Sequence, residues 1–181
     1  MKNSDPGVRR IRQNLTVDLQ WACTGNDNYP TETDFCRWAE SAVISPDQAE
    51  SEVCIRVVDG AEMQQSNSRW RGQEKTTNVL SFPADFPAEA GLEYFGDILI
   101  CAEVVMQESK QQQKAPDAHW AHMVVHGMLH LQGYDHIDDQ QATEMELIEI
   151  NILTKLGYPN PYTTVSGSHP IISNITEVEQ I

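Results

Sequence analysis

The stretch His126-Gly-Met-Leu-His130-Leu-Gln-Gly133-Tyr-Asp-His136 decides how the rest of the chain is read. On a helix, side chains four apart lie about one turn apart on the same side, so His126 and His130 can aim two imidazole nitrogens at one ion. His122 cannot complete the set. It lies eight residues before His130, about 12 Å along a helix axis, whereas metal–imidazole bonds are about 2.0–2.1 Å long. A third ligand therefore requires the chain to turn back, and Gly133 is placed to do it. Just past the helix end, a glycine takes a left-handed conformation without steric cost and brings His136 beside the pair. Three neutral imidazoles would leave a fourth position for water, as in catalytic rather than structural zinc sites. Imidazole also suits nickel, copper and iron, so one zinc ion is the default among several divalent candidates.

Around this stretch, Ala121, Val124, Val125, Met128 and Leu131 fall on the other side of the same helix, which predicts that the histidines stand off the core-facing stripe. His119 and His122 precede His126 on its own side. They are read either as groups that orient the ligands or bind substrate, or as ordinary polar histidines facing a cleft. Asp135, Asp138 and Asp139 are read either as hydrogen-bond partners of the imidazoles or as turn and cap residues.

Further out, the pattern predicts a mixed architecture with strands early and helices late. Leu15, Val17, Leu19 and Trp21 alternate as a strand over 15–23, and Val53, Ile55 and Val57 as a second. Third and fourth strands are expected over 78–82, ending at Pro83, and over 97–101. Thr31 or Thr33 can cap a helix carrying Phe35, Trp38, Ala39, Ala42 and Val43 on one face and ended by Ser45 and Pro46. A short polar helix is expected over 60–68, a loop over 84–95, and helices from 102 to about 113, from 116 or 117 to 132, and from 138 or 139 to 156. The last carries Ala142, Met145, Ile148, Ile152 and Leu156 as its core stripe, with Gly157 and Pro159 as its stop.

A chain of 181 residues with 40% hydrophobic content suits one domain, taken as 1–160, followed by a disordered tail over 161–181 that lacks periodicity. With neither an 18-residue apolar run nor a secretory leader, a cytoplasmic protein with no membrane contact is expected. Cys23, Cys36, Cys54 and Cys101 form no CxxC pair and read as small buried thiols in a reducing compartment. The net charge of −15 argues against autonomous, broad binding to nucleic acid, because phosphate contacts need positive charge. The bases are uneven: Arg9, Arg10 and Arg12 cluster early, Arg69, Arg71 and Lys75 in the middle, and only Lys155 follows Lys114. Any RNA contact should use the first two thirds of the chain.

The HxxxHxxGxxH spacing is shared with zinc metalloproteases of the metzincin group, which makes a peptidase the competing enzyme class. Those enzymes place a general-base glutamate directly after the first histidine, and Gly127 stands there instead. A third possibility is a non-catalytic, metal-stabilised assembly factor whose histidines hold the fold together.

The chain also resembles a known family, the YbeY endoribonucleases. The resemblance is carried by His126 to His136, by Thr77-Asn-Val-Leu-Ser-Phe-Pro83, by Gly96-Asp97-Ile98, by Trp120-Ala-His-Met-Val-Val125 and by the closing Glu144-Met-Glu146 and Leu156-Gly-Tyr158 stretches. It spans about 15–162. It implies an α+β fold with a small mixed β-sheet packed against several α-helices, a metzincin-like histidine helix and turn, and a zinc-like ion on His126, His130 and His136. It further implies metal-dependent cleavage of single-stranded RNA, in the service of small-subunit ribosomal RNA 3′-end maturation and ribosome quality control. The partners implied are ribosomal RNA, small-subunit ribosomal proteins and an assembly GTPase. The family's catalytic arginine falls on Arg71 within Arg69-Trp-Arg71-Gly72; Trp70 stands where tyrosine is commoner and Thr76 where proline is usual. A guanidinium suits this role because it forks two donors onto phosphate oxygens. Trp70 is read either as a base-stacking platform or, more simply, as a core anchor.

Overall fold

In the computed structural model, residues 15–24, 28–44, 51–85 and 94–163 are described. Strands β1 (Leu15–Trp21), β2 (Ser51–Val58), β3 (Val79–Pro83) and β4 (Tyr94–Cys101) alternate with helices α1 (Glu32–Ser41) and α2 (Gly60–Arg71), and α3 (Ala102–Gln111), α4 (Pro116–Leu131) and α5 (Asp139–Lys155) close the order. The fold is α+β, as expected. The sheet runs β1-β2-β4-β3, with β1 parallel to β2, β2 parallel to β4, and the edge strand β3 antiparallel to β4.

Local chemistry accounts for the boundaries. Thr31 closes a capping box with Asp34 at the start of α1, satisfying two otherwise orphaned amides. Asp59 caps α2, Asp138 caps α5, and Gly72 ends α2 in a left-handed turn. α1 stops at Ser41, before the predicted breakers Ser45 and Pro46, which lie outside the described residues. The arginines at 9, 10 and 12, most of the predicted 84–95 loop and most of the tail also lie outside them. Tyr94 and Phe95, expected in that loop, belong to β4. Gly96 shows why its position is glycine: φ is +131°, and a Cβ there would come within 2.1 Å of the Phe82 carbonyl oxygen. The register between β2 and β4 shifts at the same point, between Glu52 and Val53.

Alternation along the strands builds two cores. Val53, Ile55, Val57, Val79, Ile98 and Ile100 join residues of α1 and α4 in the larger one. Leu80, Val58 and Cys101 meet Met63 of α2 in the smaller, with Leu99 and Phe82 against it. Because Ile98 and Leu99 are successive strand residues, they point to opposite faces, so α4 and α2 cover opposite sides of the sheet. α4 is the central helix, buried continuously from Ala118 to Leu131. The apolar stripe lies in the main core and the histidines lie off it, as expected, but their side is buried as well, walled by α5 and the turn beyond α4. Of the cysteines, only Cys101 is fully buried. Burial raises the thiols of all four, Cys54 to about 12, which keeps them protonated and unreactive.

Gly127 sits where α4 presses on the sheet. A Cβ would lie 2.9 Å from Ile98 Cγ2 and 3.0 Å from Cδ1, and Ile98 is a stiff, fully buried β-branched residue. Overpacking of this kind costs about 1–3 kcal/mol, against a helix-propensity gain of about 1 kcal/mol. Gly127→Ala is therefore expected to cost up to about 2 kcal/mol net and to lower the melting temperature by up to roughly 4–8 °C. A melting curve at or above wild type would show that Ile98 gives way freely.

Candidate metal centre

The C-terminal end of α4 builds the turn that the sequence called for. The Gly133 amide donates to the His130 carbonyl at 3.0 Å and the Tyr134 amide to the Leu129 carbonyl at 3.1 Å, with Gly133 at φ +87°. These are the paired bonds of a Schellman cap. Tyr134 packs against the main core, and the chain reverses so that His136 lies over the end of the helix that carries His126 and His130.

The three imidazoles converge. His126 Nε2 and His130 Nε2 are 3.1 Å apart, and one ring nitrogen from each of His126, His130 and His136 lies within 4.8 Å of the others. A tetrahedral ion with bonds of about 2.0–2.1 Å holds neighbouring nitrogens about 3.3 Å apart, so the His126–His130 separation already matches one edge. His136 Nε2 is buried without a hydrogen-bond partner, which suits a lone pair reserved for an ion. Burial first, then the neighbouring His126 and His136, depress the His130 imidazole from 6.5 to about 2. Burial and His126 likewise lower that of His136. Both are neutral, the form that ligates. The residues fit a divalent cation.

The sequence missed the group that stands behind this triad. Glu149 of α5 is 0% exposed, and its Oε1 lies 2.7 Å from His126 Nδ1 while Oε2 lies 3.2 Å from His122 Nε2. The Tyr162 hydroxyl donates to the same Oε2. Burial alone would raise the Glu149 carboxyl, but His122 and His126 outweigh it and hold the group below the ordinary carboxylate range. Burial, and then the charge of Glu149, push the Tyr162 phenol upward, so the hydroxyl stays a donor. Tyr162 falls just beyond the predicted domain end at 160, yet Pro161 beside it is buried.

The other sequence candidates separate cleanly. His119 does not reach the triad: its Nε2 pairs with Glu108 Oε2 at 2.7 Å, and Asn78 Nδ2 also donates to Glu108, a bracket between α3, α4 and the residue that leads into β3. Asp135 accepts from the His136 amide and Asp138 caps α5, both local turn roles. Position 127 points at Ile98 on the sheet side of α4, so the protease-type base is missing and a larger side chain there would press on the sheet. Arg71 is the last residue of α2, partly buried and followed by Gly72; it belongs to a different element from the histidines. Trp70 is not a core anchor. It is 49% exposed, with its ring edge-on to Phe82 at 6.0 Å and the Arg69 guanidinium 5.0 Å above it.

Three histidines on a helix and its reversing turn, two of them buried, with a carboxylate behind one, define the class as a protein with a candidate metal centre of the catalytic type. A family profile described as Endoribonuclease YbeY matches residues 25–157, and the chain belongs to that endoribonuclease family. The fold is similar to the solution structure of TM1509 from Thermotoga maritima, with a TM-score of 0.54 and 22% identity over 78% of this chain and 89% of that one. Among the described residues, no helix is long and apolar enough to cross a membrane.

Proposed function

We propose that the protein is a single-strand-specific endoribonuclease of ribosomal RNA, acting in maturation of the small-subunit RNA 3′ end and in ribosome quality control in the cytoplasm. The observation that carries this is the convergence of three imidazoles, two buried and the third partly so, in a chain of the YbeY endoribonuclease family. His126, His130 and His136 would hold the ion, with zinc as the default. When bound, such an ion supplies Lewis acidity and lowers the pKa of water toward about 7.

The chain's own side chains supply the rest. Arg71 is assigned to the scissile phosphate, with two guanidinium donors on its oxygens to meet the charge that develops as the bond breaks. Trp70, half exposed beside it, offers a π-face to an unpaired base. A single strand is favoured because only unpaired bases can splay onto such a surface. The net charge of −15 opposes a strong grip on free RNA, so small-subunit proteins or an assembly GTPase are assigned the task of bringing enzyme and substrate together.

Arg71→Ala should slow cleavage of a single-stranded RNA oligonucleotide about 100- to 1,000-fold, the usual cost of losing one transition-state donor, with metal content unchanged. Wild-type cleavage rates in that variant would remove Arg71 from the mechanism.

A further inference from the structure

We infer that Glu149, steadied by the Tyr162 hydroxyl, is the positioning residue that fixes His126 as a metal ligand, so that the segment following α5 helps to set metal affinity. The inference rests on the metal-centre assignment above and adds the two residues that support it.

A carboxylate with no exposed surface is costly unless several donors meet it. Glu149 has three: His126 Nδ1 on one oxygen, and His122 Nε2 and the Tyr162 hydroxyl on the other. An ionised carboxylate only accepts, so His126 must carry its proton on Nδ1. That leaves the Nε2 lone pair facing His130 Nε2 at 3.1 Å, where an ion would sit. One bond thus selects the tautomer, fixes the ring plane and raises the basicity of the ligating nitrogen. His122, eliminated as a ligand by its distance along the helix, is used one step further out, as a donor that holds Oε2.

Tyr162 makes the arrangement span three parts of the chain. Its hydroxyl also lies 3.4 Å from His122 Nε2, and its ring is edge-on to that of His122 at 5.5 Å. A carboxylate serving only to join α4 to α5 would need no such aim at the far side of a ligand. The position in sequence fits: Glu149 follows Met145 by one turn and precedes Ile152 by another, on the stripe that is otherwise apolar.

The test measures zinc affinity of the full-length protein by competition with a chromophoric chelator, and the visible spectrum of the cobalt(II)-loaded protein, for wild type, Glu149→Gln, Tyr162→Phe and the double variant. Glutamine preserves shape but removes the charge and turns one accepting oxygen into a donor, whereas Tyr162→Phe deletes a single hydroxyl and is the milder change, so the pair keeps the test readable. Glu149→Gln is expected to weaken zinc binding about 10- to 100-fold and to alter the cobalt ligand-field bands. Tyr162→Phe should weaken it less, and the double variant should match Glu149→Gln alone, because Tyr162 acts through Glu149. Wild-type affinity in Glu149→Gln, or losses that multiply in the double variant, would overturn the positioning role while leaving the metal centre standing. Failure of the wild type to bind any divalent ion would overturn both.

Discussion

His130→Ala loses the ion, and with it RNA cleavage and the stabilisation that the ion confers. His130 is fully buried and its Nε2 is 3.1 Å from that of His126, so the variant removes a ligand from the centre of the triad. Removal of a mere outer partner costs about 10- to 100-fold in affinity; deletion of a ligand should exceed about 100-fold. An ion that binds the folded chain alone stabilises it by about 2.7 kcal/mol at 100 times its dissociation constant, which for a domain of this size raises the melting temperature by roughly 5–10 °C. Addition of zinc to chelator-stripped protein is expected to produce such a rise in wild type and none in His130→Ala. A similar zinc-induced rise in both proteins, read by scanning calorimetry, would remove His130 from the metal centre.

The second large effect is acid sensitivity of the metal-free protein. The His130 imidazole has an ordinary value of 6.5 and a folded value of about 2, and His136 is shifted in the same direction. Both take up protons on unfolding as the pH falls below 6.5, so the unfolded state binds more protons than the folded state and stability rises with pH. The His130 contribution is fully present above 6.5 and is lost progressively between 6.5 and about 2. At about 1.4 kcal/mol per pH unit for one group, acidification of the stripped protein to pH 5 should cost about 2 kcal/mol from His130 alone. Glu149 adds to the loss further down, since its carboxyl is held below its ordinary value. Urea denaturation of stripped protein at pH 7.5 and pH 5 reads the difference, and His130→Ala should show a smaller one. Equal pH dependence in the two proteins would show that His130 is not the buried, neutral group described.

The residues that sequence could reach were those whose chemistry is local. The helical spacing of His126 and His130, the glycine that must follow a helix end, and the strand alternation of Val53, Ile55 and Val57 each depend on a few neighbouring positions, and each stands in the structure. Glu149 escaped because a carboxylate in a helical pattern reads as solvent-facing; its partners are 23 and 27 residues away. One signal was available, since Glu149 occupies the apolar stripe between Met145 and Ile152. Tyr162 escaped for the same reason, in a stretch without periodicity. The burial of α4 on all sides was hidden because histidines counted as a polar face, and that face turns polar inward, onto Glu149. Trp70 shows the opposite error: a large aromatic ring suggested core, whereas the end of α2 leaves it half exposed above Phe82. The order β1-β2-β4-β3 depends on pairing between distant strands, which alternation within one strand does not encode.

The most direct test of the central claim quantifies metal in the purified protein and follows cleavage of a single-stranded RNA oligonucleotide before chelation, after chelation and after zinc is restored. One ion per chain is expected, with cleavage that stops on chelation and returns with zinc, and no cleavage at any stage in His130→Ala. One ion per chain with intact RNA throughout, or cleavage that survives both chelation and His130→Ala, would contradict that claim.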